Sequence, residues 1–267
     1  MTRSKKTYHL INDYHLLAYE CVDSTNEEAK RLAEGGAAHG AVIWAKEQTA
    51  GKGRLQRQWE SKRGNLYVSL LLAPNCALAK ASQLSFVAAV AAVEALQPLL
   101  PNGGDFQCKW PNDILLGNSK LGGILLESFK TTHEETGKVK QWVVAGIGIN
   151  IDSYPKDTLY PATCLKEAGV ELVSAKIVLT RFVEHFMTNY DCWVREGFEP
   201  IREKWLQNAY GIGEAVEIAS AGEVLSGTFK GMSASGEMLL TTKAGQEVTI
   251  NSGDVFFNPL KAISTKK

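Results

Sequence analysis

No charge of either sign dominates this 267-residue chain, because 29 lysines and arginines balance 29 aspartates and glutamates. The whole-chain field that steers a dedicated nucleic-acid or membrane-surface binder is missing, so any anion site must be local. Paired cysteines are missing too. Cys21, Cys76, Cys108, Cys164 and Cys192 are scattered, which fits neither a zinc site nor a small disulfide framework and points to a reducing, cytoplasmic setting. The five histidines, His9, His15, His39, His133 and His185, show no metal-ligand spacing, and none is a catalytic candidate. The basic start from Met1 to Lys6 is not followed by the apolar stretch of a secretory signal. The most apolar run, Phe86 to Leu100, is too short for a bilayer and is closed by Pro98 and Pro101; it reads as a buried helix, and no membrane partner is expected. Internal repeats and low-complexity segments are absent.

With 45% hydrophobic and 22% charged residues, the chain can bury one large domain, or one plus a small appendage. Ser24-Thr25-Asn26-Glu27 has the spacing of a capping box, and Gly35-Gly36 suits a helix ending in a left-handed turn, so a short helix is expected between them. β-rich runs follow at Val42–Ala45, Leu66–Leu72, Phe106–Trp110, Ile114–Leu116, Leu121–Phe129 and Trp142–Ile151, many apolar on both faces. Leu179, Phe182, Val183, Phe186, Tyr190 and Trp193 keep helical spacing after Ser174, Gly197 ends that helix, and Phe198–Ala209 reads as another. After Gly211 the texture changes to short alternating runs at Ala215–Ile218, Val224–Lys230, Met238–Thr242 and Glu247–Ile250. The expectation is an α+β fold with a mixed β-sheet covered by helices in residues 1–210, and a small C-terminal β-barrel in residues 211–267.

Four segments are candidates to carry chemistry. In Gln48-Thr49-Ala50-Gly51-Lys52-Gly53-Arg54-Leu55-Gln56-Arg57-Gln58-Trp59, two glycines and three cations follow a strand closely, and such a loop can close on phosphates. It lacks the spacing and the Lys-Ser/Thr ending of a Walker A loop, and a solvated surface loop would share its composition. In Lys109-Trp110-Pro111-Asn112-Asp113 and Lys120-Leu121-Gly122-Gly123, a Gly117-Asn118 turn would pair Leu115 with Lys120 and Asp113 with Gly122. Lys109, Asp113 and Lys120 would then share one face, as suits a triphosphate with a magnesium ion; a surface charge cluster is the plainer alternative. Gly146-Ile147-Gly148-Ile149-Asn150 ends a strand with glycines that would let a ligand lie on bare backbone.

Taken in order with Ser24-Thr25-Asn26, these blocks resemble the biotin protein ligase family over roughly Tyr19 to Ile151, and the C-terminal barrel sits where that family has one. The resemblance implies the class II synthetase-like catalytic domain of biotin and lipoate ligases, in a short form without an N-terminal DNA-binding domain, and hence no nucleic-acid partner. It implies that biotin attacks ATP to give biotinyl-5'-AMP, with Mg2+, and that a lysine of the biotin carboxyl carrier domain of an acyl-CoA carboxylase takes the acyl group. A lipoate ligase and a non-catalytic biotin-binding protein are the competing readings, and a homodimer through sheet edges is compatible with the fold class. By the same resemblance Ser24, Thr25, Asn26 and Gln48 would bond the ureido ring, with the Gly123 and Gly146 backbones against it. Gly51, Lys52, Gly53 and Arg54 would close over the ligand, and Lys120 would be the central catalytic cation. Arg57 and Asn112 would meet phosphates, Asp113 the metal, and Trp59 the adenine. Lys52 stands where arginine is frequent and Gln56 where glycine is common, while Asp152–Pro161 carries no motif that aligns.

Overall fold

The computed structural model describes residues 5–9, 14–100, 104–132, 136–156, 158, 160–170, 173–220 and 223–257. Met1 to Ser4, Pro101, His133 and residues 258–267 lie outside the described residues. In chain order the first part runs β1 (Lys5–His9), β2 (His15–Tyr19), α1 (Thr25–Glu34), β3 (Ala41–Ala45), β4 (Leu66–Leu72), α2 (Leu78–Ala81), α3 (Leu84–Leu96), β5 (Phe106–Lys109), β6 (Asp113–Leu116), β7 (Ser119–Thr132), β8 (Val139–Ile149), α4 (Ala175–Glu196) and α5 (Glu199–Gln207). The eight strands form one sheet in the order β1-β2-β3-β4-β8-β7-β6-β5. It is mixed, because β2 and β3 run parallel while the other neighbours are antiparallel.

Helices cover both faces, which explains why β4 is buried at every position instead of alternating. On one face α1 packs Ala29 and Ala33 against Ile43, Leu71 and Val144. On the other, α3 and α4 bring Leu84, Val87, Phe182 and Phe186 onto Leu70, Leu72 and Ala145. The stretch Leu78–Leu99, which holds α2 and α3, is apolar and long enough to cross a membrane by composition alone, but it is mostly buried here in the core.

The second part comprises β9 (Ala215–Ser220), β10 (Glu223–Met232), β11 (Met238–Thr242), β12 (Glu247–Ile250) and β13 (Asp254–Phe257), an antiparallel sheet in the order β12-β11-β10-β9-β13. Its first four strands fall on the four alternating runs of the sequence; β13 is additional. The two sheets share a hydrophobic core, since Val216, Ile218, Phe229 and Leu240 of the second sheet fall in one buried cluster with the α3 side chains, and Trp110 Nε1 donates to Gly236 O at 3.0 Å. A Cβ on Gly236 would stand 2.6 Å from the Phe86 ring, so this glycine is where the C-terminal sheet closes on α3. The β5 edge is also covered, as Cys108 N donates to Asn208 O at 2.7 Å and Tyr210 N to Cys108 O at 2.9 Å.

Two local expectations are corrected. Ser24 occupies the position before α1 but makes no side-chain cap bond, and Glu27 turns to lysines instead of closing a capping box. The β6–β7 hairpin pairs Leu115 with Lys120 as expected, but Leu121 is an extra residue, so Asp113 faces Gly123 and not Gly122. The bulge lets Leu121 enter the core while Lys120 and Asp113 keep to one side.

Candidate active site

Residues of β4, β5, β6, β7 and β8, the start of α1, the loop from Gln48 to Trp59 and the β12–β13 turn surround one cleft of about 610 Å3. One end is neutral and bonded into the fold. Gln48 Oε1 accepts from Thr25 N at 2.8 Å and from Thr25 Oγ1 at 3.1 Å, while Gln48 Nε2 donates to Ser61 Oγ at 2.9 Å. The Ser69 hydroxyl lies 2.7 Å from Thr25 Oγ1 and 2.6 Å from Asn26 Oδ1, and Asn26 Nδ2 donates to Glu127 Oε2 at 2.7 Å. These bonds fix the orientation of Asn26, a buried polar group that would be costly without partners. Gly146 is required there, because a Cβ would stand 2.2 Å from Asn26 Oδ1.

The other end is cationic. Lys120 Nζ lies 2.6 Å from Asp113 Oδ1 and 5.5 Å from the Trp59 ring centroid. Arg54 Nη1 donates to Asn112 Oδ1 at 3.1 Å and Gly253 O at 3.4 Å, and burial pulls its guanidinium below the usual arginine value. Arg57 makes a two-pronged ion pair with Asp254, whose hydrogen bond holds the guanidinium more firmly protonated. Lys109 is only 8% exposed and has no ion-pair partner among the described residues, so burial pushes it down to about 8 despite the nearby Asp113. Lys52 pairs with Glu27 at 2.8 Å, which holds that carboxyl below its ordinary value and ties the loop to α1.

Of the residues expected in the site, Ser24, Thr25, Asn26, Gln48, Lys52, Gly53, Arg54, Arg57, Trp59, Asn112, Asp113, Lys120, Gly123 and Gly146 all line this cleft. Gly51 does not. It sits behind the loop, where a Cβ would stand 2.5 Å from both Trp59 O and Ser61 Oγ, so it lets the loop double back instead of facing a ligand. The Trp59 ring lies against bare backbone, with a Gly148 Cβ position only 2.6 Å from its Nε1, and that N–H is buried without a partner. Sequence reasoning did not find Ser69, Tyr160, Gly253 or Asp254. A lone serine in a buried strand was the one signal for Ser69.

The cleft, with a neutral glycine floor beside converging cations, is suited to joining a carboxylate to a nucleotide phosphate. Residues 24–207 match the biotin/lipoate A/B protein ligase family, and the chain belongs to it. Residues 211–258 match the biotin protein ligase C-terminal domain, which narrows the kinship to the biotin branch. The chain is 36% identical to a biotin–[acetyl-CoA-carboxylase] ligase of Paracoccus denitrificans, covering 88% of this chain and 97% of that one. It is 34% identical to the bifunctional ligase/repressor BirA of Bacillus spizizenii, over 86% of this chain and 70% of the relative. Among solved structures, the biotin protein ligase from Aquifex aeolicus in complex with biotin and ATP superposes with a TM-score of 0.75 at 27% identity, covering 92% of this chain and 100% of that one.

Proposed function

We propose that this chain is a biotin–protein ligase of the cytoplasm that forms biotinyl-5'-AMP from biotin and ATP and passes the biotinyl group to a lysine of a carboxyl carrier protein. The observation that carries the reading is that one cleft joins a glycine floor under Asn26 to the cations Arg54, Arg57, Lys109 and Lys120. A carboxylate becomes an acyl donor only when its oxygen acquires a good leaving group, and two anions must be held together for that to happen. A biotin carboxylate oxygen attacks the α-phosphorus, the bond to the bridging oxygen breaks, and pyrophosphate leaves. A neutral lysine amine then attacks the acyl carbon, AMP leaves, and the surplus proton goes to solvent.

In this reading Ser24, Thr25, Asn26 and Gln48 receive the ureido ring over Gly123 and Gly146, and Lys52, Gly53 and Arg54 close over the ligand. Lys120 stands where charge builds on the α-phosphate, Arg57 and Asn112 meet the outer phosphates, and Trp59 offers its ring to adenine. Asp113 supplies a hard oxygen donor suited to magnesium, and among the described residues no cluster of three or more metal-ligating side chains surrounds it, so phosphate oxygens would complete the shell. Such an ion neutralises phosphate charge. The catalytic unit is assigned to residues 1–210 and the C-terminal unit to 211–267. The acceptor is assigned as the carboxyl carrier domain of an acyl-CoA carboxylase.

The test is biotin-dependent exchange of labelled pyrophosphate into ATP by the purified protein, with a panel of small carboxylic acids. Exchange with lipoate and not with biotin would reject the assignment.

A further inference from the structure

Lys109 differs from the other cations of the cleft in what holds it. Lys52, Arg57 and Lys120 each rest on a carboxylate, and Arg54 donates to two oxygens. The Lys109 ammonium instead lies 3.9 Å from the Tyr160 ring centroid and 6.0 Å from that of Phe257. An aromatic face attracts a cation but accepts none of its three N–H groups in a normal hydrogen bond, so the ammonium is oriented without being neutralised.

Tyr160 is itself fixed from two sides. Its neighbours clamp the Lys120 backbone, since Lys120 N donates to Pro161 O at 2.7 Å and Thr163 N to Lys120 O at 3.0 Å. Its ring packs on Phe256 at 5.5 Å, and its hydroxyl donates to Val255 O at 3.4 Å, both on β13. One segment, outside every recognisable motif, therefore sets the backbone of one site cation and the side-chain direction of a second.

We propose that Tyr160 is a positioning residue for the adenylation step, holding the Lys109 ammonium towards the phosphate end of the cleft while β13 holds the ring. This rests on the biotin-ligase reading above. The role belongs to the ring face and not to the hydroxyl, and it acts on ATP and not on biotin.

The experiment measures KM for ATP in biotin-dependent pyrophosphate exchange, alongside biotin affinity, for Tyr160→Leu, Tyr160→Phe, Lys109→Met and the Tyr160→Leu/Lys109→Met pair. Tyr160→Leu is expected to weaken ATP use about five- to thirty-fold, in line with a desolvated cation–ring contact, with biotin affinity unchanged. Tyr160→Phe restores most of that loss, and adding Tyr160→Leu to Lys109→Met costs nothing further. A phenylalanine variant as poor as the leucine one, independent losses in the pair, or an equal loss of biotin affinity overturns the proposal. Wild-type protein that exchanges nothing with biotin fails at the earlier step and removes the basis of both readings.

Discussion

Lys120 Nζ lies 2.6 Å from Asp113 Oδ1 across a hairpin whose two strands are out of simple register at that point. The extra residue, Leu121, is fully buried, so the bulge is anchored by the core, and the lysine cannot slide along the strand without pulling a leucine into solvent. A cation fixed in this way is organised before substrate arrives, which is the condition under which charge stabilises a transition state most.

Lys120→Ala is therefore expected to reduce the biotin-dependent pyrophosphate exchange rate by about 10²- to 10³-fold, the typical cost of removing one organised donor. Biotin affinity, measured by calorimetry, should change far less, since the charge matters most as phosphorus is attacked. Equal losses in both quantities would contradict the role.

Lys109 supplies a stability test with a definite sign. Its folded value of about 8 lies below the ordinary lysine value of 10.5, so between those two pH values the unfolded chain binds the proton more readily. Unfolding then releases less of its cost to protonation as pH rises, and the folded state gains stability across that window. Relative to Lys109→Met, the wild type should be disadvantaged at pH 7.5 to 8 and recover towards about pH 10. Melting temperatures of both proteins across the window decide it, and a gap that stays constant or widens with pH would show that the ammonium is not penalised by burial.

Gly146 tests the neutral end of the cleft. A Cβ there would stand 2.2 Å from Asn26 Oδ1 and 2.9 Å from its Cγ, while Asn26 is held by Ser69 and Glu127. Gly146→Ala should cost about 1 to 3 kcal/mol of stability through overpacking and lower biotin affinity at least about tenfold. In an Asn26→Ala background the same substitution should cost little, because the clashing atoms are gone. Denaturant melts on the four proteins separate this coupling from a general distortion of β8.

The reach of sequence reasoning follows from how local each feature is. The runs that became β4 and β8, and the spacing along α4, are legible because one strand or helix carries its own burial pattern. The resemblance carried by the motif blocks led to most of the lining of the cleft, whereas glycine and cations at short spacing left a solvated loop open as an alternative. The Arg57–Asp254 pair was not legible, because its partners lie 197 residues apart and meet only after the C-terminal sheet docks on α3. β13 was missed for a related reason: Asp254–Phe257 is four residues long and has no alternation to announce it. The Leu121 bulge escaped because period-two pairing from a tight turn predicts an unbroken ladder, whereas core packing of one leucine decided the register. Gly51 was placed over the ligand by the resemblance; the close approach it permits is that of its own loop.

Gln56 adopts φ +59°, directly after Leu55 at φ +54°, the left-handed region that favours glycine. Two consecutive non-glycine residues in the left-handed region each carry a penalty of roughly 1 to 2 kcal/mol, and Leu55 is 70% exposed, so no side-chain burial offsets it there. Gln56→Gly should relieve part of that strain and favour the loop conformation that brings Arg54 and Arg57 to the cleft. Loss of a glutamine side chain also loosens the unfolded chain, which subtracts about 0.4 to 1 kcal/mol from the gain. The expected net effect is a modest decrease in KM for ATP of about two- to five-fold with kcat nearly unchanged. Gln56→Val should act in the opposite direction and more strongly, because a β-branched side chain tolerates this backbone region worst. Pyrophosphate-exchange kinetics on the three proteins test the ordering glycine, glutamine, valine, and a valine variant that matches the wild type would show that the loop reaches its working conformation without this left-handed turn.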